Sequence, residues 1–176
     1  MRTALSIASV AIFVLTAAGT ALAQGSGAEA RLKQLNITLP ADQAPAANFV
    51  NSVQAGKLLF LSGNTPGGQW PLKGKVGKDL TIEQGYESAR QTGLIMLGKI
   101  RTALGSLDRV KRVVKVLGMV NSADGFSDQP KVVNGFSDLM VEVFGEAIGK
   151  HARSAVGMAG LPGNAPVEVE MIVEVE

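Results

Sequence analysis

The stretch VKRVVKVLGMV, residues 110–120, decides the fold. It is rich in β-branched residues, and apolar side chains occupy both its odd and its even positions. A strand with that pattern is covered on both faces, which is typical of a central strand in a sheet. Each face of this strand therefore needs a layer that covers it.

Two amphipathic helices are predicted to flank this strand. The first begins at Thr81, because Thr81 and Gln84 form a capping-box pair, and it ends at Gly105. The second begins at about Pro130, since proline is favoured in the first turn of a helix. Apolar residues at spacings of three and four mark their buried faces: Ala89, Gly93, Leu97, Ile100 and Leu104 in the first helix, and Val132, Val133, Phe136, Leu139, Met140, Val143 and Phe144 in the second.

Four further strands complete the pattern. Residues 49–53 and 57–62 form a predicted hairpin around Gly56, and residues 153–158 and 167–176 form a second one. In the last strand the valines and Met171 face one way, whereas the glutamates and Ile172 face the other. The order hairpin, helix, strand, helix, strand, strand predicts an α+β fold, a single sheet with two helices on one face.

The opposite face of that sheet lacks cover within one chain. The strand at 110–120 is apolar on both sides, whereas the two helices cover one face only. A large exposed apolar surface is unusual for a soluble monomer. We therefore expect a homo-oligomer in which another copy covers this face.

Composition excludes several classes of function. The chain has 176 residues, which suits one domain, and it has no cysteine. Disulfides, thiolate zinc sites, cysteine nucleophiles and iron–sulfur clusters are thereby excluded. Because His151 is the only histidine, a multi-histidine metal site is excluded too, and we expect neither metal nor cofactor. A net charge of +2 and 5% aromatic residues do not favour nucleic-acid binding.

Residues 1–23 are predicted to be a secretory signal peptide. Arg2 supplies the positive start, residues 4–18 form an uncharged apolar run, and Ala21-Leu22-Ala23 is a small-residue cleavage site. A membrane anchor is the alternative, but the run is shorter than the roughly 20 residues that span a bilayer. Cleavage after Ala23 removes one positive charge from +2 and leaves a chain of net charge +1. We expect it in the periplasm or secreted, without stable membrane association.

The mature chain is predicted to have two parts. Residues 24–47 are a leader and extended N-terminal segment, with a short helix at 29–35. Residues 48–176 are the α+β domain.

Arg153 is the strongest candidate for chemistry, and the residues alone leave two interpretations open. One is a structural ion pair with Glu168 or Glu170 across the second predicted hairpin. The other is a clamp for a substrate carboxylate or phosphate, since the guanidinium fork matches those anions. His151 is predicted at a loop or helix end, where a role in acid–base chemistry stays open.

Several motifs of this chain occur together in one known family. They are residues 108–120, 128–135 (DQPKVVNG), 151–157 (HARSAVG), the Leu161-Pro162 turn and 167–170 (VEVE). In their order and spacing, from about Arg31 to the C terminus, the chain resembles the Rid family (YjgF-type, also called endoribonuclease L-PSP), in particular a somewhat longer branch of it. The resemblance implies a chorismate-mutase-like fold, a homotrimer whose sheets form a central barrel, and ligand clefts between subunits.

The resemblance also implies a reaction. It is the hydrolytic deamination of small carboxylate-bearing enamines and imines, such as 2-aminoacrylate and 2-iminopropionate, to 2-keto acids and ammonia. Arg153 falls on the family's carboxylate-binding arginine, and Glu168 on its water-orienting glutamate. Neither a metal nor a cofactor is needed for this chemistry.

Other positions of the family's site fall on Ser62 and Asn134, and Gly63 would offer its N–H near the cleft. Two positions depart from the deaminase pattern. Phe49 stands where that branch has a tyrosine, so one hydroxyl is lost, and Ala155 stands where it has a cysteine. The thiol is not needed for the hydrolysis.

Two functions stay open on this basis. One is an imine or enamine hydrolase acting on an exported carboxylate-bearing intermediate. The other is a non-catalytic trimer that binds small carboxylates, because export separates the protein from the pyridoxal-phosphate enzymes that produce reactive enamines inside cells. A ribonuclease is disfavoured by the near-neutral charge and the scarcity of aromatic residues.

Overall fold

A computed structural model describes residues 27–45 and 47–176. The predicted signal peptide lies outside the described residues. The helices are α1 Ala28–Gln34, α2 Ile82–Leu104, α3 Gln129–Phe144 and α4 Glu146–Gly149, with 3-10 turns at Leu107–Arg109 and Pro162–Asn164. The strands are β1 Ser52–Ala55, β2 Leu58–Asn64, β3 Val110–Asn121, β4 Ala152–Met158 and β5 Val167–Val175.

The five strands form one sheet in the order β1-β2-β5-β3-β4. The predicted single-sheet α+β fold is confirmed. Strand β3 has neighbours on both sides, as its sequence predicts, but the middle of the sheet is β5. The alternation of valine and glutamate in β5 shows that one face of the strand is open, but it does not show which strands pair with β5 on either side.

The predicted hairpin between residues 153–158 and 167–176 is wrong. Strand β4 pairs in parallel with β3, and β5 lies on the other side of β3, antiparallel to it. The reason is the crossover: α3 and α4 connect β3 to β4, and a connection of that length carries the chain back to run parallel to the first strand. As a consequence, β4 and β5 are two strand positions apart.

The first hairpin forms with a small shift. Ala55 pairs with Leu58 across a two-residue turn in which Gly56 has φ 59°. The strand β1 therefore begins at Ser52, and Phe49 and Val50 precede it.

Helix α2 begins and ends where its capping residues predict. The Thr81 N–H donates to Gln84 Oε1 at 3.0 Å, and the Gln84 N–H donates to Thr81 Oγ1 at 3.2 Å. Gly105 ends the helix with φ 81°, a conformation that favours glycine. Both ends of this 23-residue helix are thus determined by local chemistry.

The two long helices cover the same face of the sheet. Helix α2 packs on β2 and β5, and α3 packs on β3, β4 and α2. Gly93 lets α2 approach α3, since a Cβ there would lie 2.7 Å from Leu139 Cδ2. Gly118 of β3 does the same under α3, where a Cβ would meet the Val133 side chain. The core lies between this helix layer and the sheet.

In the part of the chain that the structure describes, no helix packs on the other face of the sheet. Phe60 is 40% exposed and Val53 55% exposed on it. A groove of about 390 Å³ runs over this open face, lined among others by Phe60, Leu117 and Ile172. Among the described residues, no helix has the length and apolarity needed to cross a bilayer.

Candidate functional site

Strand register places the predicted site residues in two groups on opposite faces of the sheet. Arg153 is in one row with Val116 and Met171, both buried under the helices. Glu168 alternates along β5 with buried Val167 and Val169, so its side chain stands on the open face. Within one chain, two strand positions and the thickness of the sheet therefore separate Arg153 from Glu168.

The first group surrounds Arg153 and is here called the arginine cluster: Arg153, Asn134, Ser137 and His151. The Arg153 Nη1 donates to Asn134 Oδ1 at 2.8 Å and to Ser137 Oγ at 3.0 Å. Its Nη2 donates to the Pro130 carbonyl oxygen at 3.4 Å. Side chains and a carbonyl of α3 therefore hold the guanidinium at the β4 edge of the sheet.

His151 completes the arginine cluster. Its Nε2 lies 3.0 Å from Ser137 Oγ, and its Nδ1 lies 2.6 Å from the Gly149 carbonyl oxygen. Burial lowers the pKa of His151, the hydrogen bond with Gly149 opposes that shift, and the positive charge of Arg153 adds to it. Histidine with a lowered pKa is neutral at pH 7.

Among the described residues, Arg153 has no carboxylate oxygen within 4.0 Å. The predicted ion pair with Glu168 or Glu170 across a hairpin is therefore wrong. The physical reason is that β3 lies between β4 and β5, and the glutamates stand on the other face. All observed partners of the guanidinium are neutral oxygen acceptors.

The second group lies on the open face and is here called the glutamate cluster: Glu168, Gly63 and Ser62. Gly63 sits in an irregularity of β2, between the pairs of Leu61 and Asn64 with β5. A Cβ at Gly63 would overlap Glu168 Oε1, so the absent side chain makes room for the carboxyl group.

Ser62 and Phe49 lie at the edge of the glutamate cluster. The Ser62 hydroxyl donates to the Val50 carbonyl oxygen at 2.6 Å, which ties the segment before β1 to β2. Phe49 in that segment is 55% exposed. Phe49, which stands where the deaminase pattern has a tyrosine, is thus open to solvent in a single chain.

Ala155 belongs with Arg153 rather than with Glu168. It is two residues along β4, on the same face as Arg153, and packs partly buried against the core. Ser137 was not among the residues that the sequence singled out. Its spacing of three from Asn134 on a helix was the available signal, because residues i and i+3 share a face.

Burial raises the pKa of the Glu168 carboxyl above its usual range, and the negative charge of Glu170 raises it further. We expect Glu170→Gln to lower the pKa of Glu168, because removal of a like charge favours the ionised form. Carbon-13 NMR of the side-chain carboxyl measures this directly. Glu174→Gln, on the same face of β5, is the matched control and should leave the pKa of Glu168 in place. An unchanged pKa in Glu170→Gln contradicts the electrostatic contribution.

Comparison with known families gives a match over nearly the whole described chain. A sequence model of the family described as "YjgF/chorismate_mutase-like, putative endoribonuclease" matches residues 29–175. Protein TCP17 of Trypanosoma cruzi is 48% identical over 149 residues, which cover 82% of this chain and 92% of TCP17. A 2-iminobutanoate/2-iminopropanoate deaminase of Dermatophagoides farinae is 29% identical over 140 residues, which cover 80% of this chain and 95% of the deaminase.

Solved structures show the same fold. The protein Atu1372 of Agrobacterium tumefaciens, described as of unknown function, is 40% identical with a TM-score of 0.76, over 84% of this chain and 91% of its own. A putative endoribonuclease of Shewanella oneidensis is 30% identical with a TM-score of 0.81, over 85% of this chain and 100% of its own.

Proposed function

Because the chain belongs to the YjgF/chorismate mutase-like, putative endoribonuclease family, we propose that it is a hydrolase that deaminates small carboxylate-bearing enamines and imines to 2-keto acids and ammonia. The observation that carries the proposal is the state of Arg153. Its guanidinium is held by three neutral oxygens and has no carboxylate partner among the described residues, so its charge is available to an anionic ligand. The deaminase from Dermatophagoides farinae supports the reaction type.

We propose that the active site forms between two copies of the chain. Arg153 lies on the edge strand β4, whereas Glu168 lies on the open face of the middle strand. A second copy seated on the open face, with its β4 edge over β5, would bring its arginine cluster to this glutamate cluster. The trimer implied by the family resemblance would allow this arrangement. Each copy would contribute its arginine cluster to one site and its glutamate cluster to another.

In the proposed reaction, Arg153 binds the substrate carboxylate and places the imine carbon beside Glu168. An enamine substrate first takes a proton at carbon to become the imine. Ionised Glu168 accepts a proton from water as the water oxygen bonds to the imine carbon. The protonated carboxyl returns this proton to the nitrogen, which gives a neutral carbinolamine. The carbinolamine hydroxyl then loses its proton and forms the C=O bond while the nitrogen takes up a second proton and leaves as ammonia with the C–N bond broken, which gives the 2-keto acid. The net reaction consumes one water for each ammonia released.

The environment of Glu168 suits both proton transfers. Its raised pKa brings the carboxyl closer to neutral pH, where a group accepts and returns protons most effectively. Gly63, whose absent side chain makes room for that carboxyl, would offer its N–H to the substrate. Ser62 already donates its hydrogen to Val50, so its oxygen is left to accept a hydrogen bond from substrate or water.

The second candidate is a non-catalytic trimer that binds small carboxylates. Phe49 favours it, because it replaces a tyrosine of the deaminase pattern and removes a hydroxyl, whereas Ala155 replaces a cysteine whose thiol the hydrolysis does not need. Arg153 would then bind a carboxylate without turnover. Both candidates are placed in the periplasm or outside the cell by the proposed signal peptide, with cleavage after Ala23.

The decay of 2-iminopropionate, generated in situ, separates the two candidates. The chain from Gln24 onward is expected to accelerate the decay over buffer and over heat-denatured protein. No acceleration, together with calorimetric binding of pyruvate, would favour the carboxylate-binding protein. Absence of both turnover and binding rules out both candidates.

Phe60→Asp is expected to dissociate the oligomer. Phe60 stands on the open face, and a buried, unpaired carboxylate in an apolar interface is strongly unfavourable. Sedimentation velocity at micromolar concentration should show a trimer for the unmodified chain and a monomer for Phe60→Asp. Thr102→Asp, on the exposed surface of α2, should remain trimeric. A monomeric unmodified chain would contradict the proposed assembly.

A further inference from the structure

We propose that Ser137 and His151 are positioning residues for Arg153, and that a hydrogen-bond chain of fixed direction from the imidazole through the serine hydroxyl aims the guanidinium at its anionic ligand. The identity of that ligand, a small 2-keto or 2-imino carboxylate, rests on the proposed function. The direction of the hydrogen bonds is argued from the arginine cluster and does not depend on the proposed function.

The Gly149 carbonyl determines the direction of the hydrogen bonds that link His151, Ser137 and Arg153. A carbonyl oxygen can only accept, so the 2.6 Å contact requires the hydrogen of the imidazole to be on Nδ1. In neutral His151 the other nitrogen, Nε2, is then an acceptor, and the Ser137 hydroxyl must donate to it across 3.0 Å. The Ser137 oxygen is left to accept from Arg153 Nη1 at 3.0 Å. One arrangement of hydrogens thus satisfies every group.

This arrangement commits one edge of Arg153 and leaves another available. The two hydrogens of Nη1 are engaged by Asn134 and Ser137, and one hydrogen of Nη2 points to Pro130. The N–H of Nε and the second hydrogen of Nη2 have no acceptor among the described residues. These two nitrogens form one edge of the guanidinium, which matches the two oxygens of a carboxylate.

The charges around His151 favour its neutral form. Arg153 of β4 is the charged group that acts on it, and burial acts in the same direction. The other charged groups on the neighbouring elements have partners of their own. On α3 these are Lys131 with Asp128, Asp138 with the Tyr86 hydroxyl and Glu142 with Arg90, and on α4 Glu146 with Lys150. On β3 they are Lys111 with Glu176, Arg112 with Glu174, and Lys115 with Ser154 on the open face. A protonated imidazole would place a second positive charge beside Arg153 and turn the Nε2 acceptor into a donor.

Activity and binding of His151→Leu and Ser137→Ala at pH 8 test the hydrogen-bond chain. Each is expected to raise KM for 2-iminopropionate and the dissociation constant of pyruvate roughly tenfold, with kcat little changed, because the binding arginine loses its orientation. His151→Gln keeps an acceptor near the Nε2 position and should restore both constants. Ser127→Ala, an exposed serine before α3, is the matched control. Melting curves for each variant establish that the fold is intact.

The single histidine makes a second readout possible. In protein labelled with nitrogen-15 histidine, all imidazole signals arise from His151, and we expect the neutral form with hydrogen on Nδ1. Ser137→Ala should move the Nε2 shift toward that of an unbonded nitrogen, and Arg153→Ala should raise the pKa of His151. These shifts test the direction of the hydrogen bonds, and the rescue of KM by glutamine tests the positioning role, since a merely structural histidine would not give that rescue.

The outcomes distinguish this proposal from the proposed function. Pyruvate binding that weakens in His151→Leu and recovers in His151→Gln, without turnover by the unmodified chain, would overturn the hydrolase and support the positioning role. Turnover with unchanged KM in His151→Leu, or hydrogen found on Nε2, would overturn the positioning role alone. An unmodified chain that neither binds pyruvate nor turns over 2-iminopropionate overturns both.

Discussion

Arg153→Ala is expected to lower kcat/KM for 2-iminopropionate by about 30-fold to 4,000-fold and to abolish pyruvate binding. Removal of one partner of a hydrogen-bonded charge pair costs roughly 2–5 kcal/mol, and each 1.4 kcal/mol is a factor of ten. Because the partners of Arg153 in the chain are neutral, its loss leaves no buried carboxylate unpaired. We therefore expect the melting temperature to change far less than the activity.

Two variants control this result. Arg153→Lys keeps the charge but loses the planar fork, so it should retain part of the binding and little of the turnover. Arg112→Ala removes an exposed arginine whose Nε lies 4.0 Å from Glu174, and it should leave activity unchanged. Full activity in Arg153→Ala would show that the substrate carboxylate binds elsewhere.

Glu168→Gln is expected to lower kcat by about 100-fold to 10,000-fold, the range attributed to general acid–base catalysis. Glutamine has nearly the same size and fills the space beside Gly63, but it cannot accept a proton from water. Pyruvate binding should persist, since Arg153 is intact. Glu174→Gln, on the same face of β5, is the matched control. An unchanged kcat in Glu168→Gln would show that another group transfers the proton.

A mixture of the two inactive variants tests whether the active site lies between copies. If Arg153 and Glu168 of one site come from different copies, mixed oligomers of Arg153→Ala and Glu168→Gln contain some sites with both residues intact. After unfolding and joint refolding we expect about a quarter of the unmodified activity, because each cluster is intact in half of the copies. Separately refolded variants that are then mixed without exchange should stay inactive. No recovery after joint refolding would contradict a shared site.

Much of the local structure was predictable because its causes are local. Thr81 and Gln84 satisfy the free N–H groups of α2 from within four residues, and Gly105 ends the same helix through its backbone freedom. The alternation from Val167 to Val175 likewise identified the open face of β5 before any neighbour was known. These elements would have the same sequence signals in many folds.

The pairing of strands was not predictable in the same way. Strands β4 and β5 follow each other in the chain, yet β3 separates them, because the crossover through α3 makes β4 parallel to β3. Pairing depends on which strands share a hydrophobic layer and on the handedness of the crossover, both of which are properties of the whole fold. The expected ion pair of Arg153 failed for this reason.

The candidate site was likewise predictable only in part from the sequence. Residue types and their resemblance to a family singled out Arg153, Glu168, Asn134 and Gly63 from the sequence. The contacts of Ser137 with His151 and with Arg153 depend on α3 lying beside β4, since they span 14 and 16 residues of chain.

The sequence by itself determined the elements, their buried faces and the absence of cysteine chemistry, because hydrophobic periodicity, capping and composition act over a few residues. Only the tertiary structure decided that Arg153 and Glu168 stand on opposite faces of one sheet. Side chains alternate across a strand with a period of two, so the face of each is set by register, and register is set by partners distant in the chain. That separation is the physical reason for proposing that two copies complete one site.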